Sequence, residues 1–244
     1  YYHFRKLKQN GFLEQDRQEK QSGGLATYYR PSSEAYVLDL GSQGVKGFVP
    51  EKDEELERFL NPLVSGGEVN GRIVVGSSDP HGPDQVRARD GHLSGEIAAK
   101  LGNYAECSRE LAILDTEISR DENYDQNLVI LGGILTNTAT KKFNSAFPAT
   151  FSGEQFPYRE IETPDGKYSE DSIGLIAKTS NPEDREKALY LVAGIRSQGT
   201  RAAVLGFKRL EELVDGYKGG EFYRVVRGLD MDGDGRIDDY EVVE

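Results

Sequence analysis

The sequence predicts an α/β fold: a mostly parallel sheet with helices on both faces, preceded by a smaller helix-and-hairpin element. Three observations carry this. Between residues 71 and 193, short continuous runs of Val, Ile and Leu alternate with helical stretches, the pattern of strands buried on both faces. Junctions of Gly and small polar residues follow three of those runs, at 76–88, 132–138 and 194–201. Residues 1–30 break the pattern, because a basic amphipathic start leads into two β-prone segments around Gln21-Ser22-Gly23-Gly24, a hairpin turn signal.

The elements follow in order. Residues 1–10 form a helix with Phe4 and Leu7 on one face and Asn10-Gly11 as its C-cap. Phe12 and Leu13 open a strand, residues 25–30 return it, and Pro31-Ser32-Ser33-Glu34 starts a further turn or helix with serine as N-cap. Residues 51–60 make an acidic amphipathic helix within a linker at 41–70. Strands are expected at 72–76, 111–115, 128–133, 173–178 and 188–193, and helices at 86–101, 138–144 and 201–217. The less regular 147–170 carries an antiparallel insertion. The expected division is 1–40, a linker at 41–70, and an α/β domain at 71–244.

Composition narrows the function classes. The chain has 244 residues and a net charge of −12, and a nucleic-acid binder is usually basic. The sum hides an asymmetry: residues 1–30 hold six Lys/Arg and three acids, leaving 24 bases and 39 acids elsewhere. Opposite charge in two parts of one chain points to different partners. No apolar run reaches the length needed to span a bilayer, and no signal peptide is visible. The single cysteine, Cys107, allows no internal disulfide and leans towards a reducing, cytoplasmic setting. The chain begins at Tyr1, so an upstream segment is expected.

Residues 230–241 read DMDGDGRIDDYE, which matches the EF-hand calcium loop, with oxygens at positions 1, 3, 5, 7, 9 and 12 and glycine at 6. The candidate ligands are Asp230, Asp232, Asp234, the carbonyl of Arg236, Asp238 and Glu241, with the turn at Gly235. A hard cation needs six to eight oxygens, and this many carboxylates repel one another without one. The flanks, 222–227 and 240–244, are β-prone. The loop is therefore expected to join two strands and hold a structural calcium, in place of the paired helices of a sensor.

The three glycine-rich junctions leave strand carboxyl ends and present helix N-termini. In a Rossmann-like sheet such junctions share the edge where ligands bind, and free N–H groups there favour anions. The expected ligand residues are Asp79, His81, Arg89, Asp115, Gly132, Gly133, Asn137, Arg196, Gly199 and Thr200, with Arg87, Arg201, Asp90 and His92 nearby. The expected ligand is an anionic, nucleotide-like small molecule. Gly132-Gly133 is no dinucleotide fingerprint, and the segment 194–199 lacks the Lys-Ser/Thr of a P-loop.

Two resemblances sharpen the picture. YYHFRKLKQNGFLEQ followed by TYYRPSSEAY resembles the recognition helix and wing of ArsR-like winged helix-turn-helix regulators. That resemblance implies DNA binding by His3, Arg5, Lys6 and Lys8 on the helix and by Lys20, Gln21 and Ser22 at the wing tip, and a homodimer. The two helices that precede the recognition helix in that family are not in this sequence. LVILGGILTNTATKKFN, IGLIAK, ALYLVAGIRSQGTRAAVL and DMDGDGRIDDYEVVE are similar to the C-terminal domain of archaeal S-layer-like proteins, which implies an archaeal source. The leading expectation is a transcription regulator with a ligand-sensing or dimerising α/β domain. The alternatives are an S-layer-related cell-surface structural protein stiffened by calcium, and an enzyme centred on Asp79, His81, Asp90 and Asp115, though no nucleophile–base spacing or complete cofactor motif supports the latter.

Overall fold

The computed structural model describes residues 2–21, 24–33, 53–152 and 159–244. It divides into two compact units, Tyr1–Glu51 and Lys52–Glu244.

Unit 1 contains helix α1 (Tyr2–Gln9) and the antiparallel hairpin β1 (Leu13–Gln21) and β2 (Gly24–Pro31). Asn10 ends the helix as expected, its Nδ2 donating to the Lys6 carbonyl at 2.9 Å, and Gly11 takes the left-handed φ of +78° that reverses the chain. The helix rests on the hairpin through the edge-on Phe4–Tyr29 pair, with ring centroids 5.0 Å apart. The anticipated helix after Ser33 falls outside the described residues.

Unit 2 runs through α2 (Glu54–Leu60), the small β3 (Val64–Ser65) and β4 (Glu68–Val69) pair, β5 (Gly71–Val75), α3 (Ser94–Gly102), β6 (Ala112–Leu114), α4 (Asp115–Asp121), β7 (Asn127–Leu131) and α5 (Thr138–Phe143). It continues with β8 (Thr150–Ser152), β9 (Glu160–Glu162), β10 (Lys167–Tyr168), β11 (Ile173–Ser180), β12 (Ala188–Gly194), α6 (Ser197–Lys208), α7 (Leu210–Leu213), β13 (Phe222–Leu229) and β14 (Asp239–Val242). A seven-stranded sheet has the order β14-β13-β11-β12-β7-β5-β6. Its two faces are covered by different elements. Apolar side chains of α2, α3, α6 and α7 pack on one face. Those of α4, α5 and the antiparallel β10-β9-β8 sheet pack on the other.

The sheet is mixed, which corrects the mostly parallel expectation. β6, β5, β7 and β12 are parallel neighbours, whereas β11, β13 and β14 add on antiparallel. Every residue of β12 and all but the last of β11 are buried, and a strand buried on both faces carries no alternation from which its direction could be read. The seven residues between β11 and β12 close a hairpin, with Asn181 N donating to the Lys187 carbonyl.

Three other expectations change. Residues 53–70 are no linker: Asp53 caps α2, accepting from the backbone N–H of Glu55 and Leu56, and Phe59 is fully buried against Tyr190, Tyr217 and Phe222, with ring centroids 4.9–5.5 Å from its own. The helix expected at 86–101 begins only at Ser94, because Val86 and Ala88 turn back to bond His81 and Ser77. The helix expected at 201–217 starts earlier, at Ser197, and breaks at Arg209, so that Leu210, Leu213 and Val214 turn into the core. The antiparallel insertion within 147–170 is present as β8, β9 and β10.

Candidate functional site

The four parallel strands end on one edge of the sheet. β5 leads to β6 on one side, whereas β7 and β12 lie on the other, so the loops after β5 and β7 part at a switch point, the usual ligand position of an open α/β sheet. The junctions 76–90, 132–137 and 194–200 meet there around a cleft of about 270 Å³.

The edge is held by a buried carboxylate. Asp115, at the start of α4, is fully buried. Its Oδ1 accepts from Ser77 N at 2.9 Å. Its Oδ2 accepts from Thr138 N at 2.7 Å and Thr138 Oγ1 at 2.9 Å, and meets His81 Nε2 at 2.9 Å. One side chain thus ties the ends of β5 and β6 to the N-terminus of α5. The other His81 ring nitrogen, Nδ1, lies 2.8 Å from the Asp79 carbonyl. Both ring nitrogens face acceptors, the Asp79 carbonyl and the Asp115 carboxylate. His81 and Asp115 therefore brace the rim by bonding each other and the backbone around them, and Asp79 contributes its backbone carbonyl.

Asn137 has a similar role. It is 1% exposed. Its Nδ2 donates to the carbonyls of Val74 (3.0 Å) and Leu131 (2.9 Å), and its Oδ1 caps α5 at Ala139 N (3.0 Å), so its hydrogen-bonding capacity is spent joining β5 to β7. Gly132, at φ +110°, supplies a turn that a Cβ would strain. Gly199 is required by close approach, since a Cβ there would sit 1.9 Å from the Ile173 carbonyl oxygen.

Of the expected ligand residues, Arg89, Gly133, Arg196 and Thr200 line the cleft. Asp79, His81, Asp115, Gly132, Asn137 and Gly199 are not among its lining residues. Arg87 and Asp90, expected nearby, join the polar rim, and the cleft adds residues that spacing did not single out: Ile134, Leu135, Ile195 and Phe151 give it an apolar lining. The apolar residues carry only a strand-end signal in sequence, and Phe151 arrives from β8, on a separate sheet. Ser197 and Gln198 open α6 beside the cleft without a side-chain cap, so their N–H groups are unsatisfied by the helix.

The loop between β13 and β14 joins two strands as expected, with Leu229 opposite Asp239. Carboxylate oxygens of Asp230, Asp232 and Asp238 lie within 4.8 Å of one another. Asp230 Oδ1 accepts from Gly233 N (2.8 Å) and Oδ2 from Gly235 N (2.9 Å), and Asp234 Oδ1 accepts from Arg236 N (2.8 Å). Oxygen-only donors at this spacing suit a hard cation. Asp230, Asp232 and Asp238 would hold it. Glu241 instead accepts from Arg227 at 2.7 Å, because a strand in place of an exiting helix carries loop position 12 across to β13.

In unit 1, His3, Arg5, Lys6 and Lys8 are exposed on α1 and Lys20 is exposed beside the hairpin tip. Lys8 Nζ donates to Tyr29 OH at 2.9 Å. Ser22 and the Gln21 side chain fall outside the described residues. Among the described residues no helix is long and apolar enough to cross a membrane. No protein-family model and no curated protein matches the chain.

Proposed function

We propose that the chain is a DNA-binding transcription regulator whose first unit contacts DNA and whose α/β unit senses a small anion. The observation that carries this reading is the succession of a basic helix and a two-stranded hairpin. His3, Arg5, Lys6 and Lys8 are exposed on α1, and Lys20 stands near the hairpin tip. In an acidic chain this basic element is suited to phosphates, with α1 also positioned for base edges. The sensing role rests on the cleft at the carboxyl ends of β5, β7 and β12, a Rossmann-like placement of a ligand. In the same reading the loop 230–241 takes calcium as a structural ion.

Fluorescence anisotropy of the full chain on a labelled duplex tests the DNA role. Affinity should fall steeply with salt, log K declining by about 0.9 per neutralised phosphate for each decade of salt. Replacing Arg5 and Lys8 together with alanine should make that slope shallower by about 2. No binding at low salt, or a slope untouched by the replacements, would reject the reading.

A further inference from the structure

Charge, volume and lining define what the cleft suits. Its lining contains Arg87, Arg89 and Arg196 against one acid, Asp90, and no lysine. That is a local charge of +2 in a chain whose net charge is −12. Arg87 and Arg89 are exposed, and Arg196 keeps a loose ion pair to Asp171 at 3.7 Å. Guanidinium groups on a rim can fork onto phosphate or carboxylate oxygens. Beneath them the lining is apolar, from Ile134, Leu135, Ile195 and Phe151. A purely inorganic anion would leave that surface wet. Asp90 Oδ1 accepts from Arg89 N at 3.1 Å, and its other oxygen lies 3.4 Å from the position a Cβ would take on Gly132. A carboxylate on a cationic rim repels an anion unless it accepts from a donor on the same molecule.

We infer that the cleft binds a nucleoside monophosphate, a ligand with a dianionic head, hydroxyl donors and a flat body; the inference rests on the small-anion sensing reading above. A phosphomonoester carries about −1.5 to −2 at pH 7, which matches the +2 lining. A carboxylate carries half that charge, and a triphosphate about twice as much. The 270 Å³ cleft is at the small end of ligand pockets, roughly 300 Å³ and above, which favours one nucleoside with one phosphate. The arginines take the phosphate, the apolar lining takes the base, and Asp90 accepts from the sugar hydroxyls.

Calorimetric titration of the full chain with AMP, GMP, CMP and UMP, and with adenosine, ATP, inorganic phosphate and benzoate, tests this. At least one monophosphate should bind roughly tenfold or more tightly than its nucleoside, its triphosphate or inorganic phosphate. Arg89→Ala and Arg196→Ala should each weaken it about tenfold or more, as expected for a charged hydrogen bond. Asp90→Ala should weaken the monophosphate while leaving inorganic phosphate equal or tighter, which a merely structural aspartate would not do. If Asp90→Ala tightens both, the assigned role of Asp90 is wrong and the nucleoside assignment falls. If benzoate or phosphate binds through the arginines and no monophosphate does, the ligand class is overturned while small-anion sensing stands. If no probe binds, both fall.

Discussion

Lys178 shows how one buried cation can set a pH dependence. It is 6% exposed in the middle of β11. Its Nζ donates to the carbonyls of Phe59 (2.6 Å) and Asn61 (2.8 Å), at the C-terminal end of α2, and lies 5.3–5.4 Å from the ring centroids of Phe59, Tyr190 and Tyr217. The helix end and the ring faces favour the charge. Burial opposes it and pushes the ammonium down to about 8. An unfolded lysine titrates near ~10.4, so between those values the unfolded chain binds more protons than the folded one, and stability rises with pH. The penalty is fully present below pH 8 and is relieved by pH 10, by about 3 kcal/mol at most. Above that, the raised pKa of buried Tyr190 acts in the opposite direction. Urea unfolding at pH 7, 8, 9 and 10 should show this rise in the native chain and a flatter profile in Lys178→Met. Equal slopes would mean that the carbonyls and rings hold the charge well enough to cancel burial.

At the scale of elements, the β13–β14 hairpin and its acidic loop make a local unit whose stability should depend on a cation. Ile237, 5% exposed, packs beside Gly228 and anchors the loop to the core, and its carbonyl accepts from Arg201 Nε on α6. Beyond β14, Glu244 accepts from Tyr223 OH (2.6 Å), Tyr168 OH (2.7 Å) and Thr163 Oγ1 (2.8 Å), joining the residue after the last strand to β13, to β10 and to the turn that follows β9. Calcium at a hundredfold excess over its dissociation constant should stabilise the fold by about 2.7 kcal/mol, or roughly 5–10 °C in a domain of this size. Scanning calorimetry with calcium and then with chelator should show that shift, and Asp230→Ala should abolish it. No shift in the native chain would leave the loop an acidic turn. The loop was legible in sequence as a joint between two strands, because its run of Asp and Gly interrupts two β-prone flanks. So were the core strands, as continuous apolar runs, and the edge where Arg89, Gly133, Arg196 and Thr200 meet. The direction of β11 was not, since a fully buried strand looks the same either way. Nor were the roles of His81, Asp115 and Asn137: polar residues at strand ends read alike whether they face a ligand or bond one another, and only the partners at Ser77, Thr138 and Val74 separate the two.

For the whole molecule, the placement of apolar area decides where cooperative stability resides. Both buried clusters are built from unit 2, from Leu56 in α2 to Ile237 in the acidic loop. In unit 1 the large apolar residues Phe4, Leu7, Phe12 and Leu25 remain 41%, 45%, 37% and 61% exposed. At about 25 cal/mol per Å² of buried apolar surface, a helix and hairpin that leave these side chains half in water supply little of the total. The fragment 53–244 should therefore unfold in urea with the midpoint and slope of the full chain, since the slope follows the area exposed on unfolding. It should keep its calorimetric response to nucleoside monophosphates and lose retention on the DNA duplex. A lower midpoint for the fragment would mean that unit 1 buries surface the cores need. Retained DNA binding would move the nucleic-acid surface into the acidic unit, against its charge. A fragment with an unchanged midpoint, its ligand response intact and its DNA binding lost would separate the two activities at residue 52, where the chain itself divides.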